Sequence, residues 1–318
     1  MDALSDVLRV IRLSGGVFLE AHLTAPWCFR GRLSPDDCKA FQVTPSTVIA
    51  SHYVASGKML VQVDGGEAIE VKAGELVLLP HNDVHAFGSD VNVTPFSQPD
   101  EVRKSTAGKF QRIELGGGGE ETQLLCGFLG SDQSFGPLLS SLPKVLKLDV
   151  RATPSGAWVE SSFRFAVSQI AAGHAGSATV IAKLSELLFV EAVSHYIAGL
   201  TEDKQGWLAG LKDPQVGEAL SRLHAAPAKD WSAEVLAAEV GMSRSGFAER
   251  FTSLVGQPPM QYLTYWRMQL AAQRLRESRE AIAQVGYAVG YESEAAFSRA
   301  FKREFGKAPA EWRRGEIA

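Results

Sequence analysis

The sequence predicts a two-domain α+β protein, with a β-rich N-terminal half that ends in a helix pair and an all-α C-terminal third. Three observations predict it. Residues 17 to about 130 contain short β-branched and alternating runs broken by glycine turns. Residues 201 to 206, TEDKQG, are polar and without periodicity, which suits a linker. Beyond them a segment of helical pattern occurs twice.

A chain of 318 residues has room for two or three domains, each with its own core. The N-terminal MDALSDVLRVIRLSGG carries acids and has no signal-peptide pattern, and no run reaches the roughly 18 apolar residues of a membrane span, so a cytoplasmic protein is expected. Cys28, Cys38 and Cys126 are odd in number and lack CxxC spacing. Reduced thiols are therefore expected, with neither a disulfide framework nor a zinc finger.

The run VFLEAHLTA alternates, and MLVQVDGGEAIEVKAGELVLLP holds short strands separated by Asp64-Gly65-Gly66 and Ala73-Gly74. Strands this short and closely spaced build a small barrel or sandwich, spanning about residues 10 to 150. His22 shares an alternating face with Phe18 and Glu20, where it can line a pocket. Residues 131 to about 155 are punctuated by Gly136-Pro137, Leu142-Pro143 and Thr153-Pro154. Two helices then follow to about residue 200, and Ile181, Leu184, Leu188, Val190 and Val193 mark an apolar stripe on the second. That stripe either packs on the barrel or pairs two subunits. Residues 1 to 200 thus form one domain, and a second runs from 207 to 318.

In the second domain the duplicated positions keep an offset of 50 residues: Ser243 with Ser293, Phe247 with Phe297, Phe251 with Phe301, Gly256 with Gly306, Pro259 with Pro309. Each copy has a serine at an N-cap, phenylalanines at i and i+4 on one buried face, and a glycine stop. A further helix precedes each, joined through Gly241 or Gly290. Helix, glycine turn, helix is the grammar of a DNA-binding helix-turn-helix, whose second helix enters the major groove. The overall net charge is −4, yet six basic residues (Arg299, Lys302, Arg303, Lys307, Arg313, Arg314) lie between 299 and 314 against two acids, a patch for phosphates. Leu263, Trp266, Leu270 and Leu275 share one face of a helix of about 18 residues, or about 27 Å. This rod holds the two units apart, with major grooves on one DNA face about 34 Å from each other.

From Trp207 onward the runs WSAEVLAAEVGMSRSGFAERF, GQPPMQYLTYWRMQLAAQRL, VGYESEAAFSRAFKREFG and AEWRR resemble the AraC/XylS transcriptional regulators in order and spacing. Upstream, GELVLLPHNDVH, residues 74 to 85, is similar to the second cupin motif, and His52-Tyr53-Val54 with Gly57 to a remnant of the first. The resemblance therefore implies an N-terminal cupin-like β-barrel. The base-facing positions it implies are Arg244, Ser245, Ala248 and Glu249 in the first recognition helix and Glu294, Ala295, Ser298 and Arg299 in the second. Arg299 is the strongest candidate, since arginine bonds guanine in a bidentate manner. Arg250, Lys302 and Arg303 are candidates for phosphate contact. Glu249 stands where the family often has arginine, and Gly286 where it usually has alanine.

Metal-binding cupins carry two histidines and a glutamate near position 52, whereas this chain has His52 alone. His52 and His85, with His81 or Cys126 as a third donor, remain candidate Zn or Ni ligands, and hydrogen-bonded pocket histidines are the ordinary alternative. The expected protein is a sequence-specific regulator, not an enzyme, that binds double-stranded promoter DNA, responds to a small-molecule effector, contacts RNA polymerase and pairs as a homodimer. The alternatives are a metal-dependent cupin enzyme with a DNA-binding appendage, or an N-terminal domain that only dimerises.

Overall fold

Alternating apolar residues build two sheets, and glycine-punctuated amphipathic segments build helices. The computed structural model describes residues 3–11, 13–38, 45–96, 111–131, 136–153, 156–171, 174, 176–201 and 204–315. Two of the six linker positions, 202 and 203, lie outside the described residues. The chain forms two units, one of residues 12–199 and one of residues 1–11 together with 200–318.

The elements run in order α1 (Ala3–Ile11), β1 (Ser14–Thr24), β2 (Cys28–Gly31), α2 (Pro35–Cys38), β3 (Thr47–Ser56), β4 (Lys58–Val63), β5 (Ile69–Lys72), β6 (Glu75–Leu79) and β7 (His85–Gly88). After these come β8 (Gln111–Gly116), β9 (Glu121–Ser131), α3 (Gly136–Ser140), β10 (Leu146–Asp149), α4 (Gly156–Ala171) and α5 (Ser177–Gly199). The larger sheet has the order β10-β6-β3-β9-β1-β8 and the smaller β2-β7-β4-β5. Neighbours are antiparallel except β1 and β8, which are parallel.

The period of two turns one face of each sheet inward. Ala21 and Leu23 of β1, Ala50 and Val54 of β3, Val77 and Leu79 of β6 and Leu124 of β9 meet Met59, Val61 and Val63 of β4 and Val71 of β5 in a single core with Trp27. Glu20 and His22 fall on the opposite phase of β1, where Glu20 accepts from Arg112 at 2.6 Å and from Gln123 at 2.8 Å and His22 is exposed. His22 is therefore not a pocket residue, a correction that the strand period enforces.

The helix pair expected at about 155–200 is α4 and α5. The stripe of α5 is turned inward, with Ile181, Leu184, Leu188 and Val193 buried, and the helix packs on β1 and β10. Glu160 of α4 binds Arg151 in a bidentate pair, Nε to Oε2 at 2.9 Å and Nη2 to Oε1 at 2.8 Å. The same carboxylate holds Arg164 at 2.9 Å, and Arg164 donates onward to the Ala55 carbonyl of β3. This network fastens α4 to the sheet rim.

The second unit contains α6 (Trp207–Lys212), α7 (Pro214–Ala225), α8 (Ala233–Glu239), α9 (Arg244–Val255), α10 (Pro259–Glu277), α11 (Ile282–Ala288), α12 (Glu294–Phe305) and α13 (Pro309–Gly315). It also contains α1, which packs on α7 and α10. Residues 1–11 thus depart from the single 1–200 domain read from the sequence. The reason is chemical: Ala3, Val10 and Ile11 of this short amphipathic helix find their apolar cover there.

Candidate nucleic-acid interface and buried histidine relay

The two helix-turn-helix units are α8–α9 and α11–α12. Ser243 caps α9 by accepting from the Gly246 N–H at 3.2 Å, and Ser293 caps α12 by accepting from Ala296 at 3.3 Å. Gly256 and Gly306 end these helices at φ 83° and 73°, in the left-handed region that glycine tolerates. Phe247, Phe251, Phe297 and Phe301 are fully buried. Burying one face of each helix fixes what the other presents.

On α9 the outward positions are Arg244, Ser245 and Glu249, with Ala248 half-buried beside them. On α12 they are Glu294, Ala295, Arg299, Lys302 and Arg303, with Ser298 half-buried. Arg299, Lys302 and Arg303 follow one another along a single exposed stripe. Arg250 differs from the rest: its Nε donates to Asp213 Oδ2 at 2.8 Å, so its guanidinium is already engaged within the protein. Asp213 escaped the sequence reading, although the Asp213-Pro214 pair, an acidic cap followed by proline at the first helical position, was its signal.

The spacer helix α10 runs for 19 residues, with Leu263, Trp266 and Leu275 buried along one side. Trp207 donates through Nε1 to the Tyr262 hydroxyl at 2.9 Å, and that hydroxyl meets His224 Nε2 at 2.7 Å. His224 stacks on Trp266 with ring centres 3.9 Å apart. Burial holds the His224 pKa down at about 3.

Between the sheets of the N-terminal unit, register places His52 of β3 opposite Cys126 of β9. The left-handed Asn82 turns the chain from β6 toward β7 and is pinned to Leu33, accepting from its N–H and donating to its carbonyl, so that His85 enters at the start of β7. His85 Nδ1 lies 3.0 Å from the Asp83 carbonyl, His52 Nε2 lies 3.0 Å from His85 Nε2, and His52 Nδ1 lies 3.2 Å from Cys126 Sγ. These three distances assign the protons. A carbonyl only accepts, so His85 carries its hydrogen on Nδ1 and accepts at Nε2; His52 then donates from Nε2 and accepts at Nδ1 from the thiol.

The relay runs from the Cys126 S–H to His52, then to His85, then to the Asp83 carbonyl. Every member is neutral and satisfied. Burial pushes the His52 and His85 pKa values down and the Cys126 thiol up to about 12. Phe87 lies against both imidazoles, 4.3 Å from the centre of His52 and 5.6 Å from that of His85.

The four candidate donors do not form one metal-ligand set. Cys126 and His85 sit on opposite nitrogens of the same His52 ring, and those lone pairs diverge. His81 is exposed and bonds the Leu142 carbonyl at 3.1 Å, away from the pair. Among the described residues no group of three or more His, Cys, Asp or Glu side chains is placed to hold an ion. Motif spacing counted His81 in; the exposed turn after β6 takes it out.

Two stacked sheets with a buried polar relay, followed by paired helix-turn-helix units on a rigid spacer, define a DNA-binding regulator with an appended sheet domain. Comparison with known proteins agrees: residues 2–198 match a family described as Cupin, and residues 236–315 one described as Helix-turn-helix domain. The chain belongs to the AraC family of transcription regulators, in the group with an N-terminal cupin domain. It is 30% identical to the HTH-type transcriptional regulator AlkR of Acinetobacter baylyi, over 98% of this chain and 99% of that one. It is 32% identical to an AraC-like transcription regulator of Streptomyces lividans, over 99% and 98%. A solved DNA-binding domain of AdpA in complex with a target DNA is 32% identical over 32% of this chain and 92% of that one, with a TM-score of 0.31. Among the described residues no helix is long and apolar enough to cross a membrane.

Proposed function

We propose that α9 and α12 read two successive major-groove segments of a promoter, and that a small effector entering between the N-terminal sheets alters promoter occupancy and RNA polymerase contact. The observation that carries the DNA reading is the exposed stripe of α12, Arg299 with Lys302 and Arg303, opposite a face of fully buried phenylalanines. Arg299 serves as the base reader and the other two as phosphate anchors. The effector reading is supported by a buried polar cluster of the sheet interior, His52, His85 and Cys126, set against the ring of Phe87.

In vitro selection with the full-length protein tests the DNA reading. Arg299→Ala relaxes the preference at one base pair and leaves the melting temperature within about 1 °C, as expected of an exposed side chain; unchanged base preference would remove Arg299 from the readout. A screen for compounds that raise the melting temperature tests the effector step, which fails if none also shifts DNA binding. A second reading, that the N-terminal unit pairs two copies, is favoured by Trp158 and Phe165, 61% and 64% exposed on α4. Under it, wild type sediments as a dimer and the Trp158→Ser, Phe165→Ser variant as a monomer.

A further inference from the structure

The duplicated helix-turn-helix units hold their recognition helices by different means. At position 300 of α12 the chain has alanine, packed with Met268, Ala271 and Phe297 in the apolar core of the second unit. Fifty residues earlier the equivalent position of α9 is Arg250, half-exposed, with its guanidinium on Asp213. Asp213 is nearly buried, at 7% side-chain exposure, and both of its oxygens are committed. Oδ1 accepts the N–H groups of Gln215 at 3.1 Å and Val216 at 2.8 Å, capping α7, while Oδ2 accepts from Arg250. One carboxylate therefore ties the N-terminus of α7 to the middle of α9.

We propose that Arg250 is a positioning residue for DNA recognition, acting through Asp213 to seat α9, and that it is not a phosphate contact. The geometry supports this in two ways. The fork is spent on an oxygen fixed by a helix cap, so releasing it to a phosphate would strand a nearly buried carboxylate. The second unit fills the same place with a methyl group buried in its core, so the position belongs to the seat of the helix and not to its outward stripe. The first unit thus has a polar fastening where the second has an apolar one.

The opposing readings differ in sign. A phosphate contact weakens when Arg250 is removed and strengthens when the neighbouring anion is removed; a positioning pair weakens both ways. The test is binding of the full-length protein to the duplex that wild type enriches in selection, over a salt series, for wild type, Arg250→Ala, Asp213→Asn and the double variant. Asparagine still caps α7 but lacks the charge that holds the guanidinium.

Each single variant is expected to weaken binding by about three- to fivefold, the upper range for a half-exposed ion pair. The double variant weakens it no further, because the two act as one unit. The slope of log Kd on log salt stays at the wild-type value, and base preference blurs only in the half of the site read by α9. The proposal is overturned if Asp213→Asn leaves binding unchanged or tighter while Arg250→Ala reduces the slope by about 0.9, the counterion share of one phosphate. Should Arg250→Ala fail to melt cooperatively, Arg250→Lys decides: lysine keeps the charge and loses the fork, so wild-type affinity in that variant also overturns it.

Discussion

His52 and His85 aim their Nε2 atoms at each other across the two sheets, 3.0 Å apart, and only one hydrogen lies between them. Both pKa values are held down, first by burial and for His52 also by the charge that His85 would carry. The folded N-terminal unit therefore binds fewer protons than the unfolded chain once pH drops below about 6.5, the ordinary histidine value, and stability is lost from that pH downward. Its melting temperature should fall between pH 6.5 and 5, and the His52→Phe, His85→Phe double variant should flatten that decline. Nitrogen-15 spectra at pH 7.5 should show His85 protonated on Nδ1 and His52 on Nε2; the reverse tautomers would rule out the assigned relay.

Glu160 sits at about 2, held down first by its bond to Arg151 and then, against the cost of burial, by Arg164. Its folded value is lower than its unfolded one, so the stabilisation is complete above about 4.5 and disappears as pH falls toward 2. Glu160→Gln should cost about 1–2 kcal/mol at pH 7, discounted for the half-exposed arginines. Urea melts should show that difference shrinking between pH 4.5 and 2.5.

Gly286 lies against Phe297, where an added Cβ would stand 3.0 Å from both Cβ and Cγ of the ring-bearing side chain. Alanine there gains up to about 1 kcal/mol of helix propensity but overpacks a core whose Phe297 is fully buried, at about 1–3 kcal/mol. Gly286→Ala should be net destabilising in urea melts. Adding Phe297→Leu should recover part of the loss, and a simple gain from Gly286→Ala would show that the ring yields.

In the C-terminal unit, buried His224 stacks on Trp266 and meets the Tyr262 hydroxyl. Its pKa of about 3 lies below the ordinary value, so this unit too loses stability as pH falls from 6.5 toward 3. Tyr262→Phe should cost about 1–3 kcal/mol by removing the buried hydroxyl that Trp207 and His224 share. Tryptophan fluorescence during denaturation should report it.

The C-terminal unit was legible because each feature is local: a serine cap, phenylalanines four apart and a glycine stop lie within fifteen residues, and duplication wrote them twice. The candidate pair His52 and His85 was legible from motif spacing. Cys126 was a candidate donor as well, but its place in the relay was not legible, since it reaches His52 through strand register across 74 residues, and the Asp83 carbonyl has no side-chain signature. His81 misled for the opposite reason: proximity along the chain says nothing about which way a turn points. Arg250 looked like its basic neighbours because its partner Asp213 lies 37 residues away, in a helix cap.

Helix α1, Ala3–Ile11, folds with the C-terminal unit, and this changes what can be cut from the protein. A fragment starting at Trp207 keeps both helix-turn-helix units but lacks α1, leaving the surfaces of α7 and α10 that it covers open to water. Such a fragment should be prone to aggregate, and a synthetic peptide of residues 1–11 should restore its solubility. The sheet domain is, in effect, a large insertion between the first helix of the DNA-binding unit and the rest of it.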